Sequence, residues 1–328
     1  MKIIHIGDIH LKSGPHLDDK IHALKKISAI VEKGTGKHND AESLVLIPGD
    51  VFEGLTDTTP EERNVFASFI REMEFLKTRV IIIRGNHDPI GHLEIFRLSK
   101  NVTVISDSPE WVTIRSVDHD VHIFGVPWPT KSLLARSGIL GEGGLSVASE
   151  MLGTLIRDEV SERRANHSGI FIVAGHLSVT GALIGDGQPL IGREISVSLE
   201  DLIDSNADFV ALNHIHKYQE MADRIVYPGS LTGNSFGESD EKKFVIIYTK
   251  KDGSIEWESV DSLARPWRTI DATLIDGEIV EDDIDFDPVD SNLRYRYRCH
   301  EKDAHLFNHS EIEERFSSAH YLKIEPVI

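Results

Sequence analysis

Five apolar runs in this sequence stop at the same kind of turn, built from Gly, Asp, Asn and His. The run Ile3–Gly7 leads into Asp8-Ile9-His10, and Ser43–Pro48 leads into Gly49-Asp50-Val51-Phe52-Glu53. Val80–Ile83 is followed by Arg84-Gly85-Asn86-His87-Asp88, Gly169–Ala174 by Gly175-His176, and Phe209–Leu212 by Asn213-His214-Ile215-His216. In open α/β sheets, ligands and catalytic groups collect beyond the carboxyl ends of the strands. A chain with this punctuation is constrained to sheets whose strand ends converge on one polar centre.

Between these runs the signal alternates. Asp18–Val31 places Ile21, Leu24, Ile27, Ile30 and Val31 at helical spacing. Thr59-Pro60-Glu61-Glu62 predicts a helix start, with an N-cap Thr, Pro at the first helical position and Glu at the third. Gly91–Leu98 and Ser146–Arg164 read as further helices, and Val102–Ile105, Val112–Val117 and Val121–Val126 as extended runs. From Arg224 onward the pattern turns mostly β, with Lys250-Lys251-Asp252-Gly253 as a hairpin turn between Lys243–Thr249 and Ser254–Val260. This order predicts an α/β chain of stacked β-sheets flanked by helices. A main domain is expected over 1–264 and a small α+β domain over 265–328, with a helix at Glu311–Ser317 between Leu293–Cys299 and Tyr321–Glu325. Asp276–Asp290 reads as a solvated acidic linker.

Charge and cysteine usage narrow the chemistry. Against 54 Asp+Glu stand only 35 Lys+Arg, a net charge of −19 that opposes indiscriminate binding to polyanions. The single cysteine, Cys299, excludes a disulfide scaffold and a cysteine-based zinc cluster. The first apolar run is too short for a signal peptide, and no stretch approaches the roughly 18 apolar residues of a membrane span. A soluble, cytoplasmic protein with no membrane partner is the expectation.

Oxygen and imidazole donors without thiolates suit Mn²⁺, Fe²⁺ or Zn²⁺ bound for catalysis. Eight candidate ligands exceed the need of one ion, so two are expected. Each motif alone has an ordinary explanation: Asp-x-His caps a turn, Gly-Asn-His-Asp forms an Asx turn, and His-x-His sits on a surface. Those explanations would have to hold independently at five strand ends.

Taken together, Asp8-x-His10, Gly49-Asp50, Gly85-Asn86-His87-Asp88, Gly175-His176 and His214-x-His216 resemble the signature of calcineurin-like metallophosphoesterases. The narrower similarity is to SbcD-type nucleases. Asp-Ile-His-Leu (8–11), Gly-Asp-Val-Phe (49–52), Gly-His-Leu-Ser-Val-Thr-Gly-Ala (175–182), Ala-Leu-Asn-His-Ile-His-Lys (211–217) and Tyr-Pro-Gly-Ser (227–230) carry it. It covers about residues 1–270 and is weaker over 271–328, which resembles the small capping domain of that family.

The resemblance implies a four-layer α-β-β-α sandwich and a metal-dependent DNA exonuclease, with endonuclease activity as an extension, using a hydroxide activated by two metals. Asp8, His10 and His216 would hold one ion, Asn86, His176 and His214 the other, with Asp50 bridging. His87 would contact the scissile phosphate without binding metal, and Asp88 is the expected partner that orients it. Mn²⁺ is the implied metal, with Mg²⁺, Fe²⁺ or Zn²⁺ as substitutes. The implied partners are DNA, an SbcC-like ATPase in recombination, repair or replication, and a second copy pairing through Asp18–Val31 and Gly91–Leu98.

Some positions depart from the SbcD pattern. Lys12 stands where Gly is common, Glu53 where Asp or His is common, and Asn213 where Gly precedes His-x-His. Asn tolerates positive φ, so the last turn is expected to survive. Relatives continue into a helical tail that docks on the ATPase; the alternatives are a partner held differently or a compact form of the kind phages encode. Lys12, Lys131, Arg136 and Lys217 are candidate DNA contacts. Trp128 reads either as a DNA-facing aromatic or as one packed beneath its loop, and Arg84 as a phosphate contact or an ion-pair partner. The twelve histidines outside the motifs read as surface or structural residues.

Two rival functions are weighed. A small-molecule phosphodiesterase or protein phosphatase keeps the chemistry and changes the substrate, which fold alone does not decide. A non-catalytic scaffold should have lost ligands, and all are present. Two divalent ions offset only four of the nineteen net negative charges. DNA contact should therefore depend on a local field, and binding by this chain alone should be weak and salt-sensitive.

Overall fold

A computed structural model describes residues 1–33, 42–54, 58–89, 91–130, 144–185, 194–238, 240–275 and 277–327. Strands β1 (Lys2–His5), β2 (Ser43–Ile47), β3 (Arg79–Ile83) and β4 (Val102–Ile105) lie side by side and parallel. The chain then builds a second sheet from β5 (Glu110–Ile114), β6 (Val121–Val126) and β7 (Ile170–His176). The short pair β8 (Ser178–Val179) and β9 (Ser196–Val197) stands apart. Strands β10 (Phe209–Asn213), β11 (Gln219–Ala222) and β12 (Ile225–Tyr227) complete the second sheet, in the order β11-β12-β10-β7-β6-β5. Finally β13 (Lys243–Thr249) and β14 (Ile255–Asp261) form the expected hairpin and extend the first sheet to β14-β13-β1-β2-β3-β4.

The central strands of both sheets are apolar on both faces because both faces are covered. Ile4, Val45, Ile47, Val80 and Ile82 pack with helices α1 (Leu17–Lys33) and α2 (Pro60–Phe75). Their neighbours Ile3, Leu44, Leu46, Ile81 and Ile83 pack with Ile123, Ile172, Phe209 and Ala211 of the second sheet. The outer face of that sheet, through Phe124, Phe171, Val173 and Val210, packs with α3 (Gly144–Asn166) and α4 (Leu199–Asp204). The result is the four-layer α-β-β-α sandwich. Strand ends β1-β2-β3 and β7-β10 are adjacent within their sheets, so all five motif turns emerge on neighbouring strands.

Helix α2 begins at the expected capping box. Glu62 N–H donates to Thr59 Oγ1 (3.3 Å), and Thr59 N–H donates to the Glu62 carboxylate (2.9 Å). The helix predicted at Gly91–Leu98 is instead a short 3-10 segment, Glu94–Leu98. Gly91 takes φ 84° at its approach, outside the helical region.

A second compact unit takes in Gly233–Asp240 and Ala264–Ile328. Its sheet runs β16-β15-β17-β18, from β15 (Trp267–Ile275), β16 (Glu278–Glu281), β17 (Asn292–Arg298) and β18 (Tyr321–Val327). Helix α5 (His309–Arg315) connects the parallel pair β17 and β18. Ile270, Leu293, Tyr295, Tyr297, Phe307 and Phe316 form its core. The acidic stretch is therefore more than a linker. Strand β16 lies inside it, and the Glu281 carboxylate accepts from Tyr295 Oη at 2.6 Å and from Arg315 at 2.6 and 2.8 Å. Among the described residues, no helix is long and apolar enough to cross a membrane.

Candidate metal centre

The motif turns hold one another through their own backbones. His10 and Leu11 donate their amides to the carbonyls of Asp50 and Val51 at 2.9 Å each, and Glu53 N–H returns to Leu11 at 3.1 Å. Phe52 anchors this pair in the helical layer: its ring meets Phe66 edge-on at 5.9 Å and stacks with Phe96 at 6.3 Å. Such aromatic pairs contribute about 0.5–1.5 kcal/mol each beyond burial. The Asp8 carboxylate accepts the His214 amide at 3.1 Å, joining the turns after β1 and β10.

This approach leaves no room for side chains at two glycines. A Cβ on Gly85 would stand 2.0 Å from Asp50 Oδ1, and one on Gly49 2.1 Å from His176 Nδ1. Asp8, His10, Asp50 and His214 adopt φ of 39°, 50°, 51° and 105°. Positive φ is uncommon outside Gly and costs of order 1–3 kcal/mol per residue. Four of the seven predicted ligands hold backbone strain that the surrounding packing must support.

The side chains then converge. Nε2 of His10 lies 3.0 Å from Nε2 of His216, in one group of donor atoms with Asp8. Asn86 Oδ1 lies 2.8 Å from His176 Nε2 and 3.0 Å from His214 Nδ1. Asp50 Oδ2 faces both sets, 3.6 Å from His10 Nε2 and 3.3 Å from His176 Nε2. The opposite ring nitrogens point at acceptors: His10 Nδ1 at Glu53 (2.5 Å), His176 Nδ1 at the Pro48 carbonyl (2.9 Å), and His214 Nε2 at Glu194 (3.1 Å). Carbonyl and carboxylate oxygens only accept, so those outer nitrogens carry protons, and the inner nitrogen presents a lone pair whenever the ring is neutral. Imidazole nitrogens and carbonyl or carboxylate oxygens at about 3 Å need a proton or a cation among them. The donor set fits divalent cations, and Asp50 faces both groups of donors.

The calcineurin-like phosphoesterase profile matches residues 1–218. The chain belongs to that family. Its members are divalent-metal hydrolases. The chain is 24% identical over 291 residues to the SbcD component of the nuclease SbcCD from Escherichia coli K12, covering 81% of this chain and 68% of that protein. It is also 24% identical over 289 residues to the SbcD component of the Bacillus subtilis nuclease SbcCD, covering 79% and 69%. A third relative is the uncharacterized metallophosphoesterase YhaO of Bacillus subtilis, 24% identical over 294 residues and covering 83% and 64%.

In this phosphoesterase the buried carboxylates are tuned by their neighbours. Burial alone would raise the Asp50 pKa, but His176, then His10 and His87, outweigh it and hold the carboxylate well below its usual range. Burial lowers His176, yet Asp50 and Asp8 outweigh burial and push it up to about 9, so a proton occupies the cation's place at neutral pH. Burial, reinforced by the Asp50 charge, raises Asp88 to about 6.

Asp88 is not the partner of His87, contrary to expectation. Its carboxylate accepts the backbone amides of Phe52 (3.0 Å) and Gly85 (2.9 Å) and so joins the turns after β2 and β3. Glu53 faces His87 instead. His87 Nδ1 lies 3.4 Å from the Glu53 carbonyl and 3.7 Å from its carboxylate, while His87 N–H donates to Asp50 Oδ1 at 2.8 Å. Glu53 thus meets the His10 and His87 imidazoles together. Its pKa, which burial would raise, is lowered by the bond from His10.

Asn213 does not take positive φ; the strained residue is His214. Asn213 is fully buried, and its amide is satisfied on every side. With the amide assigned to the orientation that pairs both its ends, the NH₂ donates to His5 Nε2 (2.9 Å) and the Leu212 carbonyl (2.8 Å), and the oxygen accepts Asp8 N–H (3.1 Å). Arg84 is equally structural: its guanidinium donates to the carbonyls of Ser106, Gly85 and Trp128. Trp128 packs on two histidine rings of the centre, 4.6 Å from His214 and 5.7 Å from His176. Of the candidate DNA contacts, Lys12 is exposed and Lys217 half-buried, whereas Lys131 and Arg136 lie outside the described residues. Sequence reasoning missed Glu194, which sits eighteen residues after His176 with no strand-end pattern to mark it.

Proposed function

We propose that this phosphoesterase is a DNA nuclease, an exonuclease in the first place, that hydrolyses phosphodiester bonds with a pair of Mn²⁺ ions. Asp8, His10 and His216 hold one ion, Asn86, His176 and His214 hold the other, and Asp50 spans both. The observation that carries the reading is the convergence of nitrogen and oxygen donor atoms, His10 with His216 and Asn86 with His176 and His214. Bound divalent ions offset phosphate charge and make water acidic enough to attack phosphorus. His87, a quarter exposed beside His10, faces the reacting phosphate and neutralises charge there or supplies the leaving oxygen with a proton. Glu53 holds the His87 ring in register from behind.

The nuclease relatives favour DNA as the substrate and an SbcC-like ATPase as the partner, in recombination, repair or replication in the cytoplasm. Pairing of two copies is supported by the apolar side chains of Phe75, Ile95 and Leu98, which are exposed at the end of α2 and in the 3-10 segment that follows β3. The test compares hydrolysis of labelled duplex and single-stranded DNA with hydrolysis of a chromogenic phosphodiester, in Mn²⁺, with and without a co-encoded ATPase. Preferential DNA cleavage supports the reading. Efficient turnover of the small ester with intact DNA would assign a small-molecule phosphodiesterase.

A further inference from the structure

Glu194 comes to the centre by a route separate from the five motif turns. Strand β8 leaves directly from the His176 turn, and β9 pairs with it in parallel, Ser178 opposite Ser196 and Val179 opposite Val197. Thr180 N–H extends the pairing to the Val197 carbonyl at 3.0 Å. This small sheet holds Glu194, two residues before β9, against the site. There its Oε2 accepts from Ser178 Oγ at 2.5 Å and from His214 Nε2 at 3.1 Å.

The side chains of His214 and Glu194 are only 6% and 15% exposed, so water competes weakly for their bond. Trp128 lies against the ring of His214, and Asn86 Oδ1 faces its other nitrogen. The same device occurs on the opposite side of Asp50, where Glu53 takes the outer nitrogen of His10. Carboxylates behind ligand imidazoles fix the tautomer and raise donor strength.

We propose that Glu194 is the positioning residue of His214: it keeps the proton on Nε2 and turns the Nδ1 lone pair toward the cation shared with Asn86 and His176. This rests on the two-cation reading. Removing Glu194 should weaken one site selectively, because the other set of donors has its own carboxylate in Glu53.

The test titrates the chelator-stripped full chain with Mn²⁺ by calorimetry, for wild type, Glu194→Ala and Glu194→Gln, and records thermal melting of each metal-free protein. Wild type should bind two ions. Glu194→Ala should retain one site and lose about 10–100-fold affinity at the other. Glu194→Gln, whose amide oxygen still accepts from Nε2 without the charge, should fall between them. Unchanged binding of two ions by Glu194→Ala overturns the positioning role alone. A wild type that binds no Mn²⁺ overturns the two-cation reading itself. Equal weakening of both sites with a lowered metal-free melting temperature would make Glu194 a tether of the β8–β9 pair and also overturn the proposal.

Discussion

His10 and His216 meet nitrogen to nitrogen, Nε2 to Nε2 at 3.0 Å, while His10 Nδ1 is held by Glu53 at 2.5 Å. A cation held by both Nε2 atoms would replace the hydrogen bond between them with coordination. Divalent metal should therefore stabilise the folded state, by about 2.7 kcal/mol at one hundred times the dissociation constant of a single site. Scanning fluorimetry with Mn²⁺ and with chelator measures this, and coincident melting curves would refute it.

Metal binding should release protons. His176 is pushed up to about 9 in the metal-free protein, whereas ligation requires its Nε2 lone pair. Near pH 7, filling that site should expel about one proton, and affinity should rise with pH until about 9. Calorimetry in buffers of different ionisation enthalpy reads the proton count. Identical apparent enthalpies across buffers would contradict the assignment.

Gly85→Ala should damage the centre by crowding alone. The new Cβ would stand 2.0 Å from Asp50 Oδ1 and 2.4 Å from the Asp50 amide nitrogen. Overpacking of this kind costs about 1–3 kcal/mol, and Asp50 must shift away from both donor sets. A loss of at least about tenfold in Mn²⁺ affinity is the expected result, given that about 1.4 kcal/mol corresponds to a factor of ten. Wild-type affinity in the alanine variant would show that the turn relaxes without moving Asp50.

His87→Ala should separate binding from turnover. His87 approaches Asp50 through its backbone amide and Glu53 through its ring, so the variant keeps both donor sets. Mn²⁺ stoichiometry should remain unchanged while the hydrolysis rate drops by about 10²–10⁴-fold, the usual range for a proton-transfer group. Cleavage at the wild-type rate would remove His87 from the chemistry.

His5 should make the metal-free protein sensitive to acid. Burial lowers its pKa to about 4, from an ordinary value of 6.5. The unfolded chain therefore binds the proton more readily. The stability is fully present above about pH 6.5 and is lost as pH falls from there toward 4. Between pH 7 and 5 this amounts to about 2 kcal/mol. Denaturant unfolding of His5→Gln should show a pH dependence shallower by that amount, and an unaltered slope would point to other groups.

The strand-end pattern made much of the centre legible because a strand's polar terminus is a local property. Asp8, His10, Asp50, Asn86, His87, His176, His214 and His216 could be singled out by the apolar run each one follows. The start of α2 was legible for a similar reason, since Thr59 and Glu62 are only three residues apart. The helix expected at Gly91–Leu98 failed because an apolar spacing does not distinguish a short 3-10 segment from a longer helix.

Sequence by itself determined the alternating architecture, the oxygen-and-imidazole chemistry and the residues that approach the centre. Only the tertiary structure decided what stands behind them. Asp88 joins two turns, Glu53 backs His10 and His87, Asn213 satisfies His5 and Asp8, and Glu194 backs His214. Those roles depend on hydrogen-bond directions between residues far apart in the chain. Residue type and spacing carry no such information until the two sheets have packed.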